Sequence, residues 1–267
     1  MHNKNSLDTL AAALAHAIGV EAPKEAACAN AELVSYIDNA FGGAGADRIF
    51  MYNPDAVAEW IYRKYPDFTK EVREICDIEL PLATVMPSVT PVCFGTMYTG
   101  AQPAVHGIQK YEKPVIRIDT LFDALLRAGK RVAIVADHKC SMGKIFLERE
   151  MDYFIYPTIA EINAKAAELI LRDEHDLIAV YNGNYDSKMH KTGTESKEAL
   201  AELRANSYAF AAFAEMIRTH WKAHRTLVGF AMDHGCHDID GDCGSHGLDM
   251  DEDINIVHLY KAFSAER

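Results

Sequence analysis

Three short stretches of the chain carry side chains that could hold divalent cations. Asp186 and His190 stand four residues apart in NGNYDSKMHKTG, so on one helical turn they face the same side and can grip one ion. Asp233 and His234 are adjacent at the end of the apolar run in LVGFAMDHGCH. His246 follows in a glycine-flanked GSHG loop, 12 residues beyond His234. Together they offer five oxygen and nitrogen ligands, a set suited to zinc or manganese. A fourth stretch, MPSVTPVCFGTMYTGAQPAVHGI, places Thr90 just before Pro91, where a helix is expected to start near Val92. A helix N-terminus presents free amides and the positive end of a dipole, which suits an anion. A hydroxyl held there beside a cation can lose its proton and become a nucleophile. Taken alone, Ser88 and Thr90 could equally cap a helix that Pro91 starts.

Those residues depend on the elements that place them. Short β-rich runs are expected at Arg48–Tyr52, Val115–Ile118, Arg131–Ala136, Tyr153–Tyr156, Asp176–Tyr181, Thr226–Met232 and Ile254–Leu259. Amphipathic helical patterns lie between them at Thr120–Ala128, Ile159–Leu171 and Ser196–His224. Residues 6–40 also read as helical, with Leu7, Leu10, Leu14 and Ile18 at helical spacing, up to the breaker Gly42-Gly43-Ala44-Gly45. This divides the chain into a helical extension, 1–45, and a main domain, 46–267. Strands alternating with helices predict an α/β fold, a three-layer α/β/α sandwich around a mostly parallel central sheet. Ligands of such sheets bind beyond the C-terminal strand ends. Each candidate cluster follows a strand.

Composition narrows the partners. The chain has 267 residues, 49% hydrophobic and 25% charged, which excludes disordered and collagen-like classes. With 27 basic and 39 acidic side chains the net charge is −12, against the basic surface that a nucleic acid polymer needs. No run approaches the roughly 18 apolar residues of a membrane span. The apolar N-terminal stretch is interrupted by Asp8 and His16 and reads as an amphipathic helix rather than a secretory signal. Cys28, Cys76, Cys93, Cys140, Cys236 and Cys243 form no C-x-x-C pair, so reduced thiols and a cytoplasmic location are expected.

Taken together, these residues resemble the alkaline phosphatase superfamily, and within it the nucleotide pyrophosphatase/phosphodiesterase branch. The matching pieces are the Thr90 to Ile108 stretch with T-G-x-x-P-x-x-H-G-I, the D-x-x-x-H of Asp186 and His190, the D-H-G of Asp233 to Gly235, and His246, in the family's order over about residues 48–260. The resemblance implies an alkaline phosphatase-like catalytic domain that hydrolyses a small phosphorylated substrate, with two divalent metal ions and Thr90 as nucleophile. Zinc is the first choice of metal and manganese the second. By the same carry-over, Asp186, His190 and His246 hold one ion. Asp233, His234, the Thr90 hydroxyl and a carboxylate from the end of the first strand hold the other.

The family has Asp-Gly at that strand end, whereas this chain reads RIFMYNPDAV. Asp55 is the chemically better ligand, because a carboxylate offsets dication charge. Asn53, nearer the strand end, stays open as the alternative. Cys93 stands where the branch often has an Asn donating to a phosphoryl oxygen, and the amides of Val92 and Cys93 are candidate donors there. His106 is expected to brace the nucleophile loop. Asp137 and His138 follow a strand and could reach the substrate. Asp238, Asp240 and Asp242 lack the spacing and terminal Glu of a calcium loop. Cys236 and Cys243, flanking His237, read as separate thiols rather than metal ligands. No Arg completes the C/S-x-P-x-R run that a sulfatase needs, since Ser88-Val89-Thr90-Pro91-Val92 ends in Val. Phosphomonoester or phosphonate hydrolysis, or a degenerate non-catalytic relative, remain the other readings, and a homodimer through the helical extension stays open.

Overall fold

The computed structural model describes residues 1–266. Its strands are β1 (Asn5–Ser6), β2 (Arg48–Pro54), β3 (Ile78–Ala83), β4 (Val132–Asp137), β5 (Asp152–Tyr156), β6 (Leu177–Asn182), β7 (Thr226–Phe230), β8 (His237–Ile239), β9 (Cys243–Ser245) and β10 (Asn255–Phe263). The helices are α1 (Leu10–Ala17), α2 (Ala31–Phe41), α3 (Glu59–Lys64), α4 (Lys70–Ile75), α5 (Thr90–Thr99), α6 (Pro103–His106), α7 (Leu121–Arg127), α8 (Met142–Ile145), α9 (Ile159–Arg172), α10 (Asn184–Thr192), α11 (Lys197–His220) and α12 (Asp251–Ile254).

Eight strands form one sheet in the order β1-β3-β10-β7-β2-β6-β4-β5. Every neighbouring pair is parallel except those of β10, which runs antiparallel to both β3 and β7. The continuous apolar runs explain the centre: Leu177–Tyr181 of β6 and Ile49–Tyr52 of β2 are buried throughout, as strands covered on both faces must be. α9 covers β4, β5 and β6 and packs against α11, which reaches β7 and α4. α5 packs against α1, α7 and α8. Side-chain caps fix the helix starts at Asn30, Thr120, Thr158 and Ser196, each accepting from the amide three residues on. The α/β architecture with a mostly parallel central sheet is as the sequence predicts.

Three local expectations change. Residues 6–40 are two helices, α1 and α2, joined by non-helical chain, and Asn5–Ser6 pairs parallel with β3 at Leu82 and Ala83. Val115–Ile118 is not a strand: it makes one ladder-like bond, Ile116 N–H to the Ile145 carbonyl at 2.8 Å. The Arg149 guanidinium instead serves the Ile116 and Ile118 carbonyls. Conversely, β3 escapes the sequence reading because Pro81 looks like a breaker. Since β1 pairs only with Leu82 and Ala83, Pro81 lies on an open edge, where a missing N–H costs nothing. No helix among the described residues is long and apolar enough to cross a membrane.

All of α1 except His16 is buried, with Leu10 and Leu14 fully inside. The first turn of the molecule is therefore core. Leu14→Ala is expected to reduce unfolding free energy by about 2–5 kcal/mol. A urea midpoint matching that of the wild type would show that this helix contributes little.

Candidate metal centre and its cavity

The parallel strands end on one rim of the sheet, and the candidate residues sit just beyond those ends. Asp55 follows β2, Asp186 and His190 lie on α10 after β6, and Asp233 and His234 follow β7. Thr90 is the first residue of α5, seven residues beyond β3. His246 stands immediately after the β8–β9 hairpin. β7, β2 and β6 are neighbours in the sheet, so side chains 178 residues apart in sequence, Asp55 and Asp233, share one volume.

Two groups of potential ligands result. Asp186, His190 and His246 have ligand atoms within 4.8 Å of one another, and so do Asp55, Asp233 and His234. The groups adjoin, because the His246 ring lies 4.1 Å from that of His234 and 5.1 Å from that of His190. Asp55 is the first-strand carboxylate. The alternative, Asn53, is fully buried and committed elsewhere: its amide nitrogen donates to the Ala231 carbonyl at 3.0 Å, and its oxygen accepts from Tyr98 Oη at 2.8 Å.

The imidazoles are all held the same way. His190 Nδ1 lies 2.9 Å from the Gly244 carbonyl, His234 Nδ1 2.9 Å from the Gly235 carbonyl, and His246 Nδ1 3.0 Å from the Ser88 carbonyl. A carbonyl only accepts, so each Nδ1 carries a proton and each Nε2 is the ring atom left to face the carboxylates or a cation. Those Nε2 atoms face carboxylates: His190 and His246 lie 3.1 and 3.4 Å from Asp186 Oδ1, and His234 lies 3.3 and 3.4 Å from Asp55 Oδ1 and Asp233 Oδ2. Each such contact needs either a proton or a cation between the ring and the carboxylate. Asp55 Oδ1, Asp186 Oδ1 and Asp233 Oδ2 are also buried without a hydrogen-bond partner. Orphaned oxygens and lone pairs converging on the same two points fit a divalent cation at each, with the backbone carbonyls as the outer support that sets ring orientation.

The protonation equilibria carry the same message. Burial, and then the nearby Asp186 carboxylate, push Asp55 up to about 7. Asp233 is likewise raised by burial and by Asp55. Asp186 is burdened by burial too, but the adjacent His190 and His246 rings hold it below the usual range. His190 is raised to about 9 by the adjacent Asp186 carboxylate. His234, buried and beside His246, is lowered.

Thr90 Oγ1 completes the second group, 3.3 Å from His234 Nε2 and 3.5 Å from Asp55 Oδ2. The expected donors beside it are taken: the amides of Val92 and Cys93 both donate to the Val89 carbonyl, each at 3.0 Å. Cys93 itself is fully buried, with Sγ 4.0 Å from the Val85 carbonyl, and does not line the cavity. His106 braces the loop, reaching Thr96 Oγ1 at 3.1 Å and accepting from the Ile108 amide at 3.3 Å. Asp238 caps Thr194 through its amide and hydroxyl, at 2.7 and 2.8 Å. Cys236 is buried against Tyr185, and His237 pairs with Asp253 at 2.7 Å. All six cysteines are free thiols.

A cavity of about 560 Å³ opens above the centre, lined by Asp55, Thr90 and Asp186 and walled on the far side by the loop after β4, including Asp137 and His138. Tyr181, at the end of β6, also lines it and donates through its hydroxyl to Asp55 Oδ2. The sequence marks it only as the aromatic residue preceding the Asn-Gly turn. A larger groove of about 700 Å³ lies away from these ligands. Its Arg117, Arg127 and Arg149 are each paired with a carboxylate.

No protein-family model matches the chain, and no curated protein does. Solved structures do share its fold. Murine ectonucleotide pyrophosphatase/phosphodiesterase 5 is 16% identical with a TM-score of 0.59, over 73% of this chain and 58% of that one. The human protein of the same name is 14% identical with a TM-score of 0.58, over 72% and 58%. Phosphonoacetate hydrolase from Sinorhizobium meliloti, in complex with phosphonoformate, is 19% identical with a TM-score of 0.54, over 74% and 59%. The chain thus shares the fold of these solved structures, and it spans less than two thirds of the length of these proteins.

A cation at these points must displace the protons that Asp55 and His190 otherwise carry at neutral pH. Its affinity should therefore rise with pH as both groups ionise or neutralise. Manganese titrated calorimetrically is expected to bind more than about tenfold more weakly at pH 6 than at pH 8. Affinity independent of pH over that interval would remove these residues from the binding set.

Proposed function

We propose that this chain is a metal-dependent phosphohydrolase of the phosphodiesterase/nucleotide pyrophosphatase type, with Thr90 as nucleophile and two divalent ions, zinc before manganese, held by Asp55, Asp186, His190, Asp233, His234 and His246. The observation that carries this reading is the Thr90 hydroxyl lodged against the Asp55–Asp233–His234 group at the floor of the cavity. A related solved structure points the same way: an inactive variant of the murine pyrophosphatase/phosphodiesterase, carrying a threonine-to-alanine change, is in complex with AMP. Bound cations would neutralise phosphoryl charge and favour the alkoxide form of Thr90.

The chain's own residues supply the rest. Pro91 and the first turn of α5 fix the Thr90 backbone, and the turn after β2 sets Asp55 opposite it. Tyr181 holds one oxygen of Asp55, leaving the other toward His234. Thr90 Oγ1 attacks phosphorus, the leaving-group oxygen departs with the bonding pair, and the phosphoryl group rests on Thr90. Water then attacks the same phosphorus, releases phosphate or a phosphomonoester, and returns the threonine hydroxyl. Phosphomonoester or phosphonate hydrolysis is the second reading, favoured by the lysines on the cavity wall and by the likeness to a phosphonoacetate hydrolase.

Thr90→Ala should keep two equivalents of bound zinc, by elemental analysis, while turnover of p-nitrophenyl phosphate and its diester analogue falls by three orders of magnitude or about that. Chelation of the wild type should give the same loss, reversed by adding metal. An active Thr90→Ala protein would remove Thr90 from the mechanism, and a wild type binding no metal would favour a degenerate relative.

A further inference from the structure

The two edges of the large sheet are unlike. At one, β1 covers only Leu82 and Ala83 of β3, and Pro81 beside them has no amide to offer a further strand. The other edge is β5, the run DYFIY, which pairs with β4 on one side and with no strand on the other. Proteins commonly blunt such an edge with lysine, proline or a bulge. β5 holds neither residue, and its register with β4 is unbroken from Asp152 to Tyr156. Its only charge is Asp152 at its start, and Ile155 is 37% exposed.

α9 adds a charge pattern on the same side. Its buried residues Ile162, Ala166, Leu169 and Ile170 face the sheet, and Asn163 on one flank accepts from Asn182 of β6 at 3.0 Å. The other flank leans toward β5, where the Lys165 ammonium lies 4.9 Å from the centre of the Phe154 ring. Helical spacing puts the exposed Glu161, Glu168 and Arg172 on that flank with Lys165. Along the helix the signs therefore alternate, acid, base, acid, base. Within one chain Lys165 and Arg172 both lean on Glu168, at 2.6 and 3.5 Å, while Glu161 has no cationic partner among the described residues.

Such a stripe is complementary to itself run backwards. An antiparallel copy sets Glu161 against Arg172 and Lys165 against Glu168. The midpoint of the stripe lies just past Lys165, and Lys165 stands over Phe154, the middle residue of β5. One two-fold axis, normal to the sheet at Phe154, thus serves strand and helix together. It also sets Ile155 beside Tyr153 of the copy. Because α9 covers β4, β5 and β6, the two helices would stand three strand spacings apart, about 14 Å. Close-packed helices stand roughly 8–10 Å apart, so only long charged side chains reach across this gap. A foreign strand would find the bare edge, but a copy of this chain also brings the matching stripe.

We infer that β5 and α9 form the face through which two copies of this chain associate, strand to antiparallel strand, into one continuous sheet. This association stands apart from the phosphohydrolase reading and is tested without substrate. Sedimentation velocity of the full chain at low salt should show a dimer at tens of micromolar, and added salt should weaken it because the helix pairs are exposed. Ile155→Lys, which puts a charge on the open edge, should leave only monomer. Glu161→Lys and Arg172→Glu each turn two attractions across the axis into two repulsions, and each should raise the dissociation constant about tenfold or more. The double variant Glu161→Lys/Arg172→Glu restores opposite signs and should return to within about threefold of the wild type. Circular dichroism matching that of the wild type checks that each variant is folded. A wild type that stays monomeric overturns the proposal, as does a dimer that Ile155→Lys leaves intact. Single exchanges that weaken the dimer with no recovery in the double variant overturn it too.

Discussion

Three carboxylates, Asp55, Asp186 and Asp233, are held close together, the first and last of them buried, and among the described residues no lysine or arginine pairs with any of them. Taking one ionised carboxylate out of water costs several kcal/mol even after relaxation, and placing others beside it adds repulsion. The fold tolerates this arrangement only if positive charge is supplied from outside the chain or if the acids keep their protons. The direction of the Asp55 and Asp233 shifts shows the second option in the cation-free protein. The unpaired oxygens show the geometry of the first. Most of what surrounds the centre can be understood as holding those acids against each other.

The holding is done by backbone. A parallel sheet brings strand ends to one rim, so three strands can each deliver a ligand with little intervening loop. Each imidazole then spends its Nδ1 proton on a main-chain carbonyl, which fixes ring orientation more firmly than a mobile side chain could. Ala56 shows the strain involved. It follows Asp55 in the left-handed region, at φ 61°, and its amide donates to Asp233 Oδ1 at 3.1 Å. A residue with a Cβ is uncommon there. The turn is kept because it ties one acid to the next.

That turn also shows where sequence reading stops. The family pattern has glycine after the first-strand acid, and glycine suits the left-handed backbone found at Ala56. With alanine in that place the pattern is weaker and leaves Asn53 open beside Asp55, although only Asp55 faces Asp233 and His234. Asp186, His190, Asp233 and His234 were legible because each pair is local, four residues or one residue apart. Thr90 was legible through the motif around it. Tyr181 is not, because its role arises from a hydroxyl at the end of β6 reaching Asp55 after β2, which leaves no periodic trace. Among the fold elements, long apolar strands were readable and β3 was not, since its proline is harmless only on an open edge that two residues of β1 leave uncovered.

The bond between His190 and the Gly244 carbonyl makes the β8–β9 hairpin a party to whatever happens at that ring. Thermodynamic reciprocity then applies: if ordering the hairpin improves the hold on an ion, the ion must steady the hairpin by the same free energy. His246 follows His234 by only 12 residues, so a short ribbon joins the two rings. Changes at its outer turn, remote from any substrate, would therefore be felt as altered ion retention rather than as altered chemistry.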